Sequence, residues 1–564
     1  MTALHEIRRF SAGHRTIIVL VLCLFGLCAM SRGPRKHKRR KTTDERIYLV
    51  HADVLTYDQF GSETPGAQVL KGNVQFRHKG ATLWCDSAFF YERENSFEAC
   101  GHVRMVQGDT LSLTSERAYY DGNDQMAEAR QNVVLRHRGT VLYTDSLNYD
   151  RLYNLGYFFD GGRMVDRKNV LVADWGEYDT KTRKAVFNYN VVLRNDDYTI
   201  NTDTLHYDTR SSLASVAGPS RIVSGDDIID TKSGFYNSRT GETRLFGRSK
   251  VMNGDREITA DSLFYNEKTA VSRGFNNAVY VDRENNNSLS CDYFRYNSDT
   301  GEGMATRKAL MMDFSQKDTL YVHADTIRLF TYNIKTDSVY RTTHCYNGVR
   351  AFRQDVQAVC DSLVYNTKDS CMTMYRDPIV WNGDRQVLGE KIEVFMRDST
   401  VERAHVTGQA LSIEMLNDSI HYNQVSSSEM FAFFDNGKLA RTEAVGNVRT
   451  VFYPAEEKDG SLMLLNCLET DTLRMFMNEG NLSKIWTARA EGTAYPMTQI
   501  PPGKEKLDGF AVFYAIRPKD KDDIFDRRGK NDDERLKPQI RHAAPLQHIR
   551  DGKMETVKGE EVTP

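Results

Sequence analysis

A motif that returns about every 30 residues constrains this chain more than any other feature. Each copy centres on Asp, usually followed by Ser or Thr, an apolar residue and Tyr. Clear copies are "VLYTDSLNYD" at Asp145, "TINTDTLHYD" at Asp203, "EITADSLFYN" at Asp261, "SLSCDYFRYN" at Asp292 and "VQAVCDSLVYN" at Asp361. Weaker copies sit at Asp53, Asp86, Asp174, Asp230 and Asp325, with Glu116 and Glu390 in phase. Successive anchors from 53 to 390 lie 27 to 36 residues apart. A period of this size means stacked units sharing one core, each needing only its neighbours.

Each unit holds two strand signals. The first carries alternating apolar residues after a Gly-Asn-like pair, as in Val74 and Phe76 or Val133 and Leu135, the period of a strand with one dry face. The second carries the Asp motif, and its pattern changes phase there. Small or apolar residues sit at −3 and −1 before the Asp (Leu142, Thr144), then at +2 and +4 after it (Leu147 and Tyr149, Leu205 and Tyr207, Leu263 and Tyr265). A regular strand would send these two sets to opposite faces, so a bulge or bend must fall at the Asp. Repeated bends give a stacked corner, and the sheet folds over on itself. The expected fold is therefore all-β, an elongated repeat-built antiparallel sheet. Asp53, Asp86, Asp145, Asp174, Asp203, Asp261, Asp292, Asp325 and Asp361 are expected as structural corners whose carboxylates accept backbone N–H groups. A row of carboxylates also suits a calcium stack or catalytic acids. Calcium rolls need a nine-residue Gly-Asp repeat, which is absent, and catalytic acids come as one special pair. No catalytic residue, metal site or cofactor is expected.

The formal net charge of −2 hides an asymmetry: residues 1–41 hold ten Lys or Arg against one Glu, the remainder 65 against 76 Asp or Glu. An acidic body with a basic head excludes a nucleic-acid binder as a class. The apolar run 16–30, "TIIVLVLCLFGLCAM", follows Arg8, Arg9 and Arg15. It suits a signal peptide or an uncleaved N-terminal anchor within residues 1–31, although the basic linker that follows (32–46) opposes export. There is no CxxC pair. Cys85–Cys100 and Cys345–Cys360 share a 15-residue spacing that would suit disulfides in an oxidising compartment. The repeat region divides into a first half (47–240) and a second (241–500). A strand-like segment follows at 501–518, then a charged tail (519–564) that reads as disordered.

Repeats of "A-D-x-L-x-Y-D" alternating with "G-N-V-x-L" behind an export signal resemble the OstA-like (LptA-like) family of lipopolysaccharide-transport proteins. The resemblance covers about residues 50–453. It implies an open β-jelly roll whose apolar groove carries lipid acyl chains across the periplasm. On that basis Val74, Phe76, Val133, Leu135, Leu147, Tyr149, Leu205, Tyr207, Leu263 and Tyr265 are expected to line the groove. The partners implied are lipopolysaccharide or lipid A acyl chains, inner- and outer-membrane transport proteins joined through end-to-end β-pairing, and further copies of the chain. This chain departs from the family in having about twice the repeats of a short periplasmic member. The alternative from the residues alone is a structural or adhesive β-solenoid with a filled core and no groove.

Overall fold

Strand formation follows from the period-two pattern together with turn residues at nearly every hairpin. Asp or Asn after the motif Tyr caps the turn: Asp150 Oδ1 accepts the N–H groups of Leu152 and Tyr153 at 2.8 and 3.0 Å, and Asp179 Oδ1 those of Lys181 and Thr182 at 2.8 and 2.9 Å. These are Asx turns, the local bonding that favours Asp and Asn between strands. The structure, a computed structural model, describes residues 45–57, 66–334, 336–397, 400–454, 461–478, 481–527, 547–550 and 553–556. The expected signal or anchor segment, most of the basic linker and most of the charged tail lie outside these residues. The described residues are all β apart from three short 3-10 turns at Met497–Gln499, Tyr514–Ile516 and Asp523–Phe525.

The chain forms two units, residues 1–109 with 117–126, and residues 110–116 with 127–564. In the first unit, Tyr48–His51 and Val54–Tyr57 lie along Gln68–His78, which pairs antiparallel with Ala81–Tyr91, which pairs with Ser96–Gln107. Its core centres on Phe76, stacked on Phe97 at 4.2 Å and tilted against Phe90 at 5.4 Å. In the second unit, strands from Lys184–Arg194 to Val356–Asn366 pair in chain order, each with the next. The ladder continues through Tyr422–Asp435, Lys438–Phe452 and Leu464–Asn478 and ends with Asn481–Ala488 and Glu491–Pro496, which both pair with Leu464–Asn478. Among the described residues the corner breaks a strand outright at six places, so that two half-strands share one partner. Gly162–Asp166 and Leu155–Phe158, for example, both pair with Thr140–Asp150, and Cys371–Tyr375 and Ile379–Asn382 both pair with Val356–Asn366.

Each of the nine Asp stands at a register shift or between two half-strands. Asp203, for example, is skipped between Thr202 and Thr204, and Asp292 between Cys291 and Tyr293. The extra residue is not on the Asp strand but on its neighbours, the strand before it and the strand after it. Two consecutive residues with positive φ lie opposite one Asp: Gly72 and Asn73, Gly101 and His102, Tyr189 and Asn190, Asn276 and Asn277. This is a two-against-one bulge, and it explains the recurrent Gly-Asn, since those residues tolerate the left-handed region. At Gly72 a side chain is doubly excluded, because a Cβ there would run into the Asp53 carboxylate. The carboxylates mostly accept side-chain donors, a correction to the expected backbone bonds. Asn73 Nδ2 donates to Asp53 at 3.0 Å, Asn190 Nδ2 to Asp174 at 2.7 Å and Asn277 Nδ2 to Asp261 at 2.7 Å. Backbone donation occurs at Asp145 from Asn132 N at 3.3 Å and at Asp292 from Asn277 N at 3.4 Å. Asp230 is not a corner; the residue skipped in its repeat is Lys232, between Thr231 and Ser233, and Asp230 instead pairs with Arg221 at 2.9 Å.

Residues 501–527 also differ from expectation. The alternation in "GFAVFYAIRP" suggested a strand, but 509–518 holds none. The segment is a strap laid over the last third of the sheet. Two buried glutamines hold its main chain in place of a ladder partner, and a third holds one of its side chains. Gln424 Nε2 donates to Glu505 O at 2.7 Å and its Oε1 accepts Leu507 N at 2.8 Å. Gln386 does the same for Ala511 O and Phe513 N, both at 2.8 Å. Gln357 Oε1 accepts Arg517 Nε at 2.7 Å. Phe510, Val512, Phe513, Tyr514 and Ile516 pack on Ile379, Trp381, Leu388, Leu411 and Ile413. Residues 519–527, assigned above to a disordered tail, are ordered here: Ile524 is fully buried, the Phe525 ring lies 4.7 Å from His323, and Arg527 forms an ion pair with Asp325. By strand alternation the strap rests on the side of Gln357 and Val359, opposite to Cys360 in the same strand.

Candidate functional site

The bend gives every strand two wings, and the inward residues of both wings define an interior. In the second unit the wings of the 127–223 section meet. Gly162 of one wing approaches Phe158 of the other so closely that a Cβ there would lie 2.6 Å from the ring. Leu142, Leu147, Tyr149, Phe187, Leu193, Ile200 and Leu205 are all buried to 1% exposure or less. Interiors packed to this degree leave no room for a guest.

A repeated contact closes this section. Tyr178 Oη lies 2.9 Å from His137 Nδ1, 41 positions earlier. Tyr207 Oη donates to Asp166 Oδ2 at 2.8 Å, again 41 positions earlier, and accepts from Asn169 Nδ2 at 2.8 Å. The first unit has its own copy: His78 Nδ1 and Tyr120 Oη at 2.7 Å, 42 positions apart. In each case the motif Tyr at the tip of one wing reaches a polar residue at the hairpin tip of the other. Burial pushes the Tyr178 hydroxyl up and the His137 imidazole down in pKa, so both stay neutral near pH 7, the forms that share one hydrogen bond. The last contact between tips is apolar, Tyr198 edge-on to Tyr236 at 4.2 Å.

Beyond it the latch disappears. Tyr265 and Tyr296 are 40% and 38% exposed. The positions 41 before them are Ser224 and Asp255, and neither bonds to a motif Tyr among the described residues. Residues next to the bend remain buried there, such as Ala260, Leu263, Ala278, Cys291, Ala305 and Ala309. Those farther out are half-buried: Ile258, Tyr280, Leu289, Phe294 and Met311. The interior thus grades from closed at the bend to open at the tips, which is the section of a V.

Of the ten residues expected to line a groove, Val74, Phe76, Val133, Leu135, Leu147, Tyr149, Leu205 and Tyr207 are buried to 2% exposure or less and belong to closed cores. Leu263 is buried near the bend of the open section, and Tyr265 stands at its exposed tip. The half-buried Ile258, Leu289 and Phe294, in the −3 and +2 phases, and Met311 on the neighbouring strand were not among the residues expected to line the groove. The latch residues His78, His137, Asp166 and Asn169 were not among the expected site residues. All seven described cysteines carry free thiols; burial pushes Cys85 and Cys345 up to about 12. Among the described residues no group of three or more His, Cys, Asp or Glu is placed to hold a metal ion, and no helix is long and apolar enough to cross a membrane.

Residues 44–203 match the family model described as OstA-like protein. Over this stretch the chain is similar to the OstA-like family. The matched segment covers the first unit and most of the closed section of the second; the OstA-like corner geometry continues well past it, through Glu390 and Gly408, where a Cβ would meet the Glu390 carboxylate at 2.5 Å. No curated protein matches the chain.

Proposed function

We propose that this OstA-like protein is a non-enzymatic, periplasmic lipid-binding conduit that takes part in lipopolysaccharide transport and outer-membrane assembly. The observation that carries the reading is the unlatched V between residues 227 and 313, whose inner faces present apolar and aromatic side chains only partly covered by protein. A concave apolar surface of this kind suits acyl chains, which gain about 0.8 kcal/mol per buried methylene. On this reading the lipid lies against Ile258, Leu263, Leu289, Phe294 and Met311, and the closed section acts as a scaffold. The filled core of residues 127–223 favours the solenoid alternative for that section alone.

The ends of the sheet supply the junctions. Tyr48–His51 and Val54–Tyr57 pair on one side only, with Gln68–His78, and expose Val50, Val54, Leu55 and Tyr57. An uncovered apolar edge favours pairing with another chain, here a membrane partner of similar fold.

The test is a photo-crosslinking residue placed in turn at Leu289, Leu205 and His206. Lipopolysaccharide is expected to label Leu289, and not the outward His206. Equal labelling at Leu289 and His206, or none at either, would overturn the conduit and leave the filled solenoid.

A further inference from the structure

One row of side chains on the outside of the open section carries charge that nothing among the described residues answers. Arg273 stands directly across from Arg295, Arg295 across from Met304, and Met304 across from Arg328. The three arginines are exposed and alternate along their strands with Gly274, Phe294 and Ile327, so they point away from the interior. Like charges directly opposite each other on a sheet are destabilising. Other arginines on this outer face are compensated. Arg244 bonds Glu242 at 2.6 Å and Arg474 bonds Glu443 at 2.8 Å, while Arg403 and Arg441 lie over Phe395 and Phe433 at 4.1 and 4.2 Å. Among the described residues Arg273, Arg295 and Arg328 make no ion pair or hydrogen bond. The carboxylate nearest in register on this face, Glu302, two positions from Met304, makes no ion pair either.

The flanks of the row are aromatic. Phe264 packs edge to face on Phe275 and Phe275 packs tilted on Tyr293, with centroids 5.3 and 5.1 Å apart, and Phe330 meets His344 at 5.1 Å. Strand alternation places them on the same outer face as the arginines. Rings interleaved in this way offer no flat platform for stacking a sugar. They offer a ridged apolar surface studded with cations. Aromatic side chains settle at the headgroup level of a bilayer, and each Lys or Arg near an anionic leaflet adds about 1 kcal/mol of attraction, roughly a fivefold gain in partition.

We propose that this outer face of the open section docks on an anionic phospholipid surface, with Arg273, Arg295 and Arg328 meeting the lipid phosphates. The proposal stands on uncompensated charge and does not depend on what occupies the interior. It accounts for three adjacent guanidiniums in a body that is otherwise acidic.

The test is flotation of the full chain with phosphatidylcholine–phosphatidylglycerol vesicles and with pure phosphatidylcholine vesicles. The protein is expected to float with the anionic vesicles only, and salt should release it. The triple variant Arg273→Gln, Arg295→Gln, Arg328→Gln should lose about 100-fold in partition while its melting temperature stays level or rises. The matched control Arg244→Gln, Arg385→Gln, Arg474→Gln removes the same charge from sites paired with Glu242, Glu414 and Glu443 and should keep binding. Arg295→Lys, which keeps the charge, should also bind. Unchanged partition of the first triple variant, an equal loss in the control, or equal flotation with both vesicle types would overturn the proposal.

Discussion

Thr199–Asp208 and Asn287–Asn297 carry the same motif, yet Tyr207 is buried and Tyr296 is 38% exposed. The two strands bend at the same place, bury the same positions next to the bend and turn back with the same Asx chemistry. They differ in what waits across the gap. In the closed section a histidine, or an aspartate with an asparagine, stands at the opposite tip and bonds the incoming tyrosine. In the open section that position holds Ser224 or Asp255, and the tyrosine stays in solvent. The comparison teaches that the motif builds the corner, while a residue 41 positions upstream decides whether the corner closes into a core or stays a trough.

The largest expected effect sets the two interiors against each other. Leu147→Ala removes a fully buried side chain from a section with no room to relax and should cost about 2–5 kcal/mol. Leu289→Ala, half-buried on the open wing, should cost only about 1 kcal/mol. Urea unfolding of both variants measures the difference, and equal costs would mean that the open section is as filled as the closed one. Next comes the latch. Tyr207→Phe leaves Asp166 buried without its donor and should cost about 1–3 kcal/mol, with lipid labelling at Leu205 rising as the tips part. The converse change, Ser224→His, offers Tyr265 the partner its closed counterparts have. It should add about 0.5–1.5 kcal/mol and reduce labelling at Leu289; unchanged labelling would separate closure from the latch. The smallest effect is a pH dependence. His137 has a folded pKa below its ordinary 6.5, chiefly through burial, so the unfolded chain binds the proton more readily. Its contribution is complete above about pH 6.5 and is lost as pH falls toward the lowered folded value. His137→Gln should flatten that part of the stability profile, read as melting temperature between pH 7 and 5.

The corner was legible in the sequence because it is local. Leu142 and Thr144 before Asp145, against Leu147 and Tyr149 after it, show the phase change within eight residues, and no helix period competes. The side of the bulge was not legible, since Gly72-Asn73 reads as an ordinary strand start until the register shows two residues facing one. The latch was hidden for another reason. His137 and Tyr178 lie on opposite wings and are not ladder partners, so neither residue's surroundings announce the other. "HRG" looks like turn chemistry and is also the tip partner. The strap misled through its own pattern. Phe510, Val512 and Tyr514 alternate like a strand, and an alternating segment bonded by glutamine amides looks the same in sequence as one bonded by a neighbouring backbone.

The strap has a consequence for the order in which the molecule is made. Most of the ladder joins residues that follow one another closely, so each hairpin can form soon after its strands appear and rest on the one before. The strap runs backward across finished strands, and its contact from Arg517 to Gln357 spans 160 positions. Contacts of such separation form late, because a long loop must close before they are rewarded. Until residues 505–527 arrive, Trp381, Leu411 and Ile413 have no cover, and Gln357, Gln386 and Gln424 have amides without their strap partners. Residues 505–527 therefore act as a completion signal: a chain that has acquired them can seal its last third, and one cut short before them is left with an adhesive flank.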